Sequence, residues 1–359
     1  MNEEIYRKLA ERLDAIPNGF PATESGVELR LLAKIFTPDE AALASVMRLT
    51  SEPASEIATR AGIDPEIAYS LLKIMARHGQ IHIERREGQL KFGLIPFVVG
   101  VYEEQLPRLD AEMATLFEQY MQETHAGILK TGPSVHRVIP VKEAIPFNLE
   151  IFPYERASEM IENAKSWGVQ DCICRVQQRL IGKGCDHPVE NCLVFAPVEN
   201  AFDHSQVQRP ITKEESLRIL REAEQNGLVH STGNQRERTN YICNCCTCCC
   251  GILRGVTEFD IPSAVAHSGF YSVVDVELCS GCEECLMACH FGALSMTDGV
   301  CGVDYSRCVG CGLCALACSN GALHLEVRSG DDRSLPPMDI KEWMLQRAQE
   351  RNISIFDIL

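Results

Sequence analysis

The sequence predicts a multidomain α+β protein, because its regions differ sharply in composition. The first 105 residues contain no cysteine and alternate between helix-like and strand-like patterns. A middle region, 171–260, carries ten cysteines, and a C-terminal region, 270–330, carries the other nine. We therefore expect an N-terminal domain at 1–105, a helical linker region at 106–170, two cysteine-rich domains, and a linker with a tail helix at 331–359.

Composition narrows the class of protein. The chain has 359 residues and a formal net charge of −16, which disfavours a general nucleic-acid coat. Met1 to Asp14 is charged throughout and does not resemble a signal peptide. The longest apolar run, Leu94 to Tyr102, is far shorter than the ~20 residues that span a bilayer. We expect a cytoplasmic protein with no membrane span, in which dense cysteine indicates metal or redox sites rather than disulfides.

The N-terminal domain has the element order of a winged helix. Asp64 and Pro65 are typical of a helix start, and Gly79 of a helix end. The predicted elements are helices at 38–49, at 56–60 capped by Ser55, and at 65–78 capped by Asp64, then strands at 81–83 and 90–92 around a turn at Glu87-Gly88. Helix, helix-turn-helix and hairpin in this order predict a winged-helix-like fold.

Charge argues against DNA binding by this domain. Its predicted recognition helix starts with Asp64 and Glu66, where groove contacts would fall and phosphates would repel them. A docking or dimerisation surface is the favoured role. Basic residues near the wing keep DNA binding as an alternative: Arg77, Arg85, Arg86 and Lys91.

The linker region is predicted to be helical and then interrupted by proline. Apolar residues of Tyr102 to Thr124 recur with helical spacing and indicate one core-facing helix. Prolines then break regular structure at positions 140, 146 and 153. Tyr154 to Trp167 is predicted as a further helix that leads into the first cysteines.

The middle region combines a helix, two strands and ten thiols. Thr212 to Asn226 is predicted as a helix capped by Thr212 and closed by Gly227, followed by paired strands at 228–230 and 241–243. Neighbouring cysteines on an extended chain point to opposite sides, so Cys245-Cys246 and Cys248-Cys249-Cys250 cannot all face one metal without a bend. We expect two sites, or one unusual cluster with bridging thiolates.

The ligand hypothesis for this region starts from its first four cysteines. They form one set, Cys172, Cys174, Cys185 and Cys192, completed or supplemented by Cys243, Cys245, Cys246, Cys248, Cys249 and Cys250. An additional iron–sulfur cluster is the favoured interpretation. Zinc, a soft-metal sink and redox-active thiols are the alternatives, since thiolates suit each of them.

The C-terminal region repeats one cysteine spacing twice. The pattern Cys-x-x-Cys-x-x-Cys-x-x-x-Cys begins at Cys279 and begins again at Cys308, 29 residues later. The members are Cys279, Cys282, Cys285 and Cys289 in the first run, and Cys308, Cys311, Cys314 and Cys318 in the second. Zinc usually takes two separated Cys-x-x-Cys pairs, so this spacing favours iron–sulfur clusters over a pair of zinc sites.

This repeat resembles the bacterial dicluster [4Fe-4S] ferredoxin domain. The resemblance implies two clusters, each taking its fourth ligand from the other run: Cys279, Cys282, Cys285 and Cys318 for one, and Cys308, Cys311, Cys314 and Cys289 for the other. The proline that usually follows the fourth cysteine is replaced by His290 and Ser319. Cys301 lies outside both runs and is interpreted as a bystander thiol.

The chain as a whole also resembles a group of bacterial 4Fe-4S dicluster-domain proteins that are common in anaerobes. Three stretches carry the likeness: 18–26 (Asn-Gly-Phe-Pro-Ala-Thr-Glu-Ser-Gly), 184–188 (Gly-Cys-Asp-His-Pro) and 243–250 (Cys-Asn-Cys-Cys-Thr-Cys-Cys-Cys). The resemblance implies iron–sulfur clusters and electron transfer, and it supplies no substrate.

Three hypotheses of function follow. The first is an electron-transfer protein or oxidoreductase subunit that serves a redox partner protein. The second is an oxidoreductase with its active site at the 172–250 cysteines, and the third a redox-sensing winged-helix regulator. The sequence contains no Rossmann glycine fingerprint and no P-loop, so no nucleotide cofactor is expected.

Overall fold

A computed structural model describes residues 3–145, 153–329 and 335–354. Pro146, the linker residues 330–334 and the end of the predicted tail at 355–359 lie outside the described residues. The chain forms two compact units. The first comprises Met1–Gly132, Leu180–Gly182 and Met344–Leu359, and the second Pro133–Arg179 and Lys183–Trp343. The division at 132 falls inside the region predicted as a helical linker.

The first unit is mostly helical with one small sheet. Its elements are α1 Glu3–Asp14, α2 Val27–Ile35, α3 Pro38–Ala44, β1 Glu52–Pro53, α4 Ala54–Ala61, α5 Pro65–Arg77, β2 Ile81–Arg86, β3 Gln89–Leu94 and α6 Ala111–Glu123. The three strands pair antiparallel in the order β1-β3-β2. Aromatic side chains form part of the core, where the ring centroids of Phe20 and Phe97 lie 4.4 Å apart.

Local capping explains where these helices begin and end. Asp64 caps α5 by accepting the backbone N–H groups of Glu66 and Ile67, as predicted. Two predicted boundaries are wrong. Helix α3 stops at Ala44 because the chain turns at Ser45, whose hydroxyl donates to the Ala42 carbonyl. Ser55 lies inside α4 rather than at its cap.

The single helix predicted over Tyr102 to Thr124 is two pieces. A 3-10 helix covers Glu103–Arg108, and α6 begins at Ala111. Pro107 removes a backbone donor from the first piece, and Asp110 starts the second by accepting the Met113 N–H at 2.8 Å. The apolar stripe is core, as expected, since Met113, Phe117 and Tyr120 are buried.

The second unit is built on a seven-stranded sheet. Its strands are β4 His136–Ile139, β5 Ser166–Asp171, β6 Glu190–Ala196, β7 Arg209–Ile211, β8 Val229–Gly233, β9 Tyr241–Cys245 and β10 Val265–Ala266, and its helices are α7 Ala157–Glu162, α8 Ile173–Leu180, α9 Lys213–Gln225 and α10 Gly251–Thr257. The order is β10-β4-β8-β9-β6-β5-β7, antiparallel except for β10 with β4. Residues of α7 and α9 pack against the sheet, including Ile161 and Leu220.

Most of the predicted elements of this unit are present. Thr212 caps α9 by accepting the Glu215 N–H, and β8 pairs with β9. The helix predicted over Tyr154 to Trp167 is wrong in its second half. Helix α7 ends at Glu162, and Trp167 lies in β5, where its indole N–H donates to the Ile161 carbonyl at 2.8 Å.

The repeated cysteine runs lie on a smaller pair of sheets in the same unit. The elements are β11 Phe270–Val274, α11 Glu284–Ala288, β12 Leu294–Thr297, β13 Val300–Val303, α12 Leu313–Ala317 and β14 Leu323–Val327. Strand β11 pairs antiparallel with β14, and β12 with β13. Each cysteine run therefore lies between two strands, with its short helix directly after the loop.

The predicted tail helix is α13, Ile340–Glu350. Trp343 is buried and its indole N–H donates to the Ser134 carbonyl within the second unit. Arg347 is buried and donates to the Pro17 carbonyl within the first unit. The tail thus packs within the chain. None of the helices in the described residues is long and apolar enough to cross a membrane.

Candidate metal centres

The two cysteine runs have equivalent backbones. Helix α11 follows Glu283, whose φ is 65°, and α12 follows Gly312, whose φ is 83°. These residues are 29 positions apart, like the cysteines around them. Gly281 and Gly310 are a second equivalent pair, with φ of 69° and 73°. Left-handed turns at the same places give both loops the same course around their cysteines.

The first run meets a cysteine of the second run. A small cavity is lined by four cysteines that the ferredoxin resemblance groups together. They are Cys279, Cys282, Cys285 and Cys318. Cys282 is exposed and Cys285 is buried, so the cavity opens to the surface on one side.

The second run meets a cysteine of the first run. Burial, together with the charges of the neighbouring Cys308 and Cys289 thiols, raises the pKa of Cys314 to about 12. Burial and the same neighbours also raise the pKa of Cys311. These thiols resist ionisation unless a cation shares their charge.

Backbone and side-chain donors point at the cysteine sulfurs. The Ala293 N–H lies 3.4 Å from the Cys289 sulfur, and the Ser272 N–H lies 3.5 Å from that of Cys308. The Ser272 hydroxyl also lies 3.2 Å from the Cys314 sulfur. Such hydrogen bonds stabilise negative charge on sulfur and set the potential of iron–sulfur clusters. The donor set therefore fits a thiolate-bound cluster.

Cys301 is not a remote bystander, contrary to expectation. Its sulfur lies 3.6 Å from that of Cys285, and its N–H lies 3.5 Å from the Cys279 sulfur. It is buried and lines the same cavity. The sequence held one signal for this: Cys301 stands 29 residues after Ser272, the same offset as between the runs.

His290 contacts the seven-stranded part of the unit. Its Nε2 lies 2.6 Å from the Gly227 carbonyl, which accepts a hydrogen bond and so requires a proton on that nitrogen. His290 directly follows Cys289, the cysteine that lies beside the second run. It therefore connects this cysteine to the turn between α9 and β8. Ser319, the other replacement for proline, is exposed.

Sheet topology brings the ten middle cysteines together. Strand β5 ends just before Cys172, Cys192 lies near the start of β6, and β9 ends at Cys245. Because β5 pairs antiparallel with β6, and β6 with β9, these three points lie at one edge of the sheet. Segments far apart in the sequence therefore meet there.

The ten thiols fall into two groups. In the first, the sulfurs of Cys185, Cys246, Cys248 and Cys249 all lie within 4.8 Å of one another. In the second, side-chain hydrogen bonds connect six cysteines in series: Cys172, Cys174, Cys250, Cys245, Cys243 and Cys192. The two groups adjoin where Cys246 follows Cys245.

This grouping differs from the predicted one. Cys185 was expected to join Cys172, Cys174 and Cys192, but it lies with Cys246 and Cys249 instead. The reason is the strand pleat: Cys243 and Cys245 share one face of β9, and the chain then turns, so Cys246 leaves that face. The expectation of two sites, or of one unusual cluster with bridging thiolates, stays a prediction.

Asn244 holds the strand end in place. Its side-chain amide donates to the Asn191 carbonyl at 2.6 Å, and its Oδ1 lies 2.6 Å from His230 Nδ1. Both Asn244 and His230 are buried. These bonds face away from Cys243 and Cys245 and fix the orientation of both thiols.

Two of these thiols are predisposed to ionise. A hydrogen bond from Cys249, aided by the nearby Arg175 guanidinium, lowers the pKa of Cys246 to about 4. Hydrogen bonds from Cys243 and Cys250 lower the pKa of Cys245 to about 6. A thiolate is the form that binds metal, so both groups present a ready ligand.

Comparison with known proteins gives one match. The family model described as a 4Fe-4S binding domain matches residues 302–324, which hold the second cysteine run. This segment of the chain is similar to 4Fe-4S binding domains. The match and the cysteine geometry together indicate binding of a [4Fe-4S] cluster at the C-terminal runs. No curated protein and no solved structure matches the chain.

Proposed function

We propose that the protein transfers electrons through two [4Fe-4S] clusters to or from a partner oxidoreductase. The observation that carries this proposal is the position of the last cysteine of each run beside the other run: Cys318 lines the cavity of the first run, and the charge of Cys289 acts on Cys311 of the second. A [4Fe-4S] cluster accepts and releases one electron at a time. The charge of Cys285 acts on Cys314, so the two sites are near neighbours. Two adjacent one-electron sites form a path along which single electrons pass, rather than a store of electrons.

The surface around the first run supports docking of a redox partner. Cys282 is exposed, and apolar side chains beside it are exposed as well: Val276, Leu278 and Met287, the last by 90%. Glu277, Glu283 and Glu284 are exposed in the same sequence segments. Exposed apolar and acidic side chains in these segments suit a partner with a basic rim, whose association weakens as salt rises.

The middle cysteines extend this redox assembly with a further thiolate centre. All nineteen cysteines are free thiols, which supports the proposal that the protein works in the reducing cytoplasm. The N-terminal unit then serves as a docking module of winged-helix-like topology. Its α5 exposes Ile67 by 62% and Ile74 by 42%, which suits a protein partner better than a phosphate backbone.

Anaerobic purification of the full chain tests the proposal. Iron and acid-labile sulfide attributable to the C-terminal runs should each reach about eight per chain, with two interacting signals in the EPR spectrum of the reduced protein. Reduced protein should pass electrons to an acceptor such as a basic cytochrome more slowly at high salt. Iron and sulfide well below eight in intact, reconstituted protein would remove the two-cluster proposal.

A further inference from the structure

Four middle cysteines form a compact group whose spacing identifies what it binds. The Cys185 sulfur lies 3.8 Å from that of Cys246 and 3.5 Å from that of Cys249, and Cys248 completes the group. A tetrahedron with metal–sulfur bonds of about 2.3 Å has sulfur–sulfur edges of about 3.8 Å. In a four-iron cube each thiolate binds a different iron, so its sulfurs stand farther apart. We propose that Cys185, Cys246, Cys248 and Cys249 bind a single tetrahedral thiophilic ion, Zn²⁺ or Fe²⁺, rather than an iron–sulfur cluster.

The repeated runs provide an internal comparison. None of their eight cysteines belongs to a set of three or more ligands gathered within 4.8 Å, although every one of these residues is described. Their wider spacing around an open cavity suits a cluster, and the closer spacing of the middle group suits one ion. Two kinds of thiolate site therefore coexist in this unit.

The ligand-bearing segments are held in position by contacts of their own. Arg179 donates to the carbonyls of Cys185 and His187 at 3.1 and 3.0 Å, which shapes the loop that carries Cys185. Opposite it, the Cys250 N–H donates to the Cys246 carbonyl at 3.0 Å and closes a turn. That turn places Cys246, Cys248 and Cys249 on one side, against the incoming loop.

The surroundings suit a charged tetrathiolate. Leu228 and Ala223 pack against Cys246 and Cys249 and exclude water on the inner side. Four thiolates and a divalent ion leave a net charge of −2, and the buried Arg175 hydrogen-bonds to Cys246 and offsets part of it. Cys248 is exposed, so the ion can enter from solvent.

The position of the site gives it a structural consequence. It joins the loop before β6 to the turn after β9, and Leu228 beside it follows Gly227, the residue that His290 contacts. A bound ion therefore stabilises the turn at Gly227 and Leu228. His290, directly after the first cysteine run, contacts this turn. Zinc would act there only as a crosslink, whereas iron would add a one-electron centre to the path.

Metal analysis of the full chain and two variants at Cys248 tests this inference. The wild-type protein should hold one Zn or Fe per chain in excess of the iron matched by acid-labile sulfide. Cys248→Ala should lose that one ion and keep the sulfide content unchanged. Cys248→His should retain it, since a Cys₃His set also binds a tetrahedral ion. X-ray absorption at the zinc and iron edges distinguishes the two metals and should show four sulfur neighbours at about 2.3 Å.

Other outcomes would overturn the inference. If Cys248→Ala loses several irons together with sulfide, the group belongs to a cluster. If wild-type protein holds no metal beyond the sulfide-matched iron, even after reconstitution with Zn²⁺ or Fe²⁺ under reductant, the site binds none. The experiment separates this inference from the proposed function, because each has its own measurement. Acid-labile sulfide measures the C-terminal clusters, and metal in excess of the sulfide-matched iron measures the single ion.

Discussion

Ser272 and Cys301 occupy equivalent positions in the two halves of the C-terminal repeat. Ser272 directs its N–H at Cys308 and its hydroxyl lies beside the Cys314 sulfur, while Cys301 directs its N–H at Cys279 and its sulfur accepts from the Cys285 thiol. Both backbone contacts are 3.5 Å long. Each cysteine run thus has one side chain from a neighbouring strand that can donate to a ligand thiolate, a hydroxyl at one run and a thiol at the other.

These two donors should set the cluster potentials separately. Ser272→Ala removes a hydrogen bond worth about 1 kcal/mol, so the potential of one cluster should fall by roughly 20–60 mV. Cys301→Ala should lower the other potential by a smaller amount, because a thiol is the weaker donor. An EPR-monitored redox titration measures both. Iron content should match the wild type in each variant, and loss of iron from Cys301→Ala would instead make Cys301 a ligand.

Exchange of ligands between the runs predicts which cluster a substitution removes. Cys318→Ala should abolish the cluster of the first run and about halve the iron at the C-terminal runs, although Cys318 belongs to the second run. In that background Ser272→Ala should still shift the potential of the remaining cluster, since Ser272 contacts Cys308 and Cys314. If Ser272→Ala leaves the potential of the remaining cluster unchanged in this background, Cys318 is a ligand of the cluster of the second run.

Space at two glycines should decide whether the second run can assemble. A Cβ on Gly310 would lie 2.2 Å from the Phe270 carbonyl, whereas nothing lies within 4 Å of a Cβ on Gly321. Both residues have left-handed φ, 73° and 66°, so alanine costs about 1–2 kcal/mol of strain at either. Only Gly310→Ala should also push its loop off β11 and lose iron. Equal iron content in the two variants would contradict this reading of the packing.

Buried His136 should make stability fall in mild acid. It lies between Ser231 Oγ and the Tyr241 hydroxyl, and desolvation lowers its pKa to about 4. In the unfolded chain a histidine has a pKa of ~6.5 and binds the proton more readily. The contribution of neutral His136 to the free energy of unfolding is therefore complete above that pH and is lost as the pH falls toward 4. Between pH 7 and 5 the loss should be roughly 2 kcal/mol.

Substitution of His136 isolates that contribution. His136→Gln should unfold at lower denaturant than the wild type at pH 7, and the gap should narrow at pH 5. Anaerobic urea unfolding, monitored by circular dichroism, gives the unfolding midpoints of the wild type and the variant. The difference between the two midpoints should be the same at pH 7 and pH 8, which serves as the control. The same gap at pH 5 and pH 7 would show that His136 does not titrate in this range.

The N-terminal unit should not retain DNA. The start of α5 carries Asp64 and Glu66, and the rest of its outer face exposes Ile67 and Ile74. Carboxylates and apolar groups there would repel or fail to pair with phosphates. Neither the oxidised nor the reduced protein should shift a random-sequence duplex in a native gel at low salt. A shift that disappears as salt rises would restore the regulator hypothesis.

Local rules account for what could be predicted. Caps at Asp64 and Thr212 were correct because a cap depends on three or four neighbouring residues. The failures came where several local signals competed. Helical periodicity suggested one helix through Leu106 and Leu109, but Pro107 and the cap at Asp110 divided it. Helical periodicity predicts a helix at Trp167 because periodicity alone does not reveal strand pairing, here with β6.

The sequence by itself determined the donor chemistry of the C-terminal runs. Ligand spacing and glycine turns act within a few residues, so a repeated pattern at 279 and 308 is enough to define two equivalent loops. Only the tertiary structure decided how the ten middle thiols divide and that Cys301 lies at the cluster site. Both depend on strand pairing, which brings Cys185 to Cys249 and β13 to the first run. Pairing between distant segments is settled by burial across the whole sheet, and no short stretch of sequence encodes it.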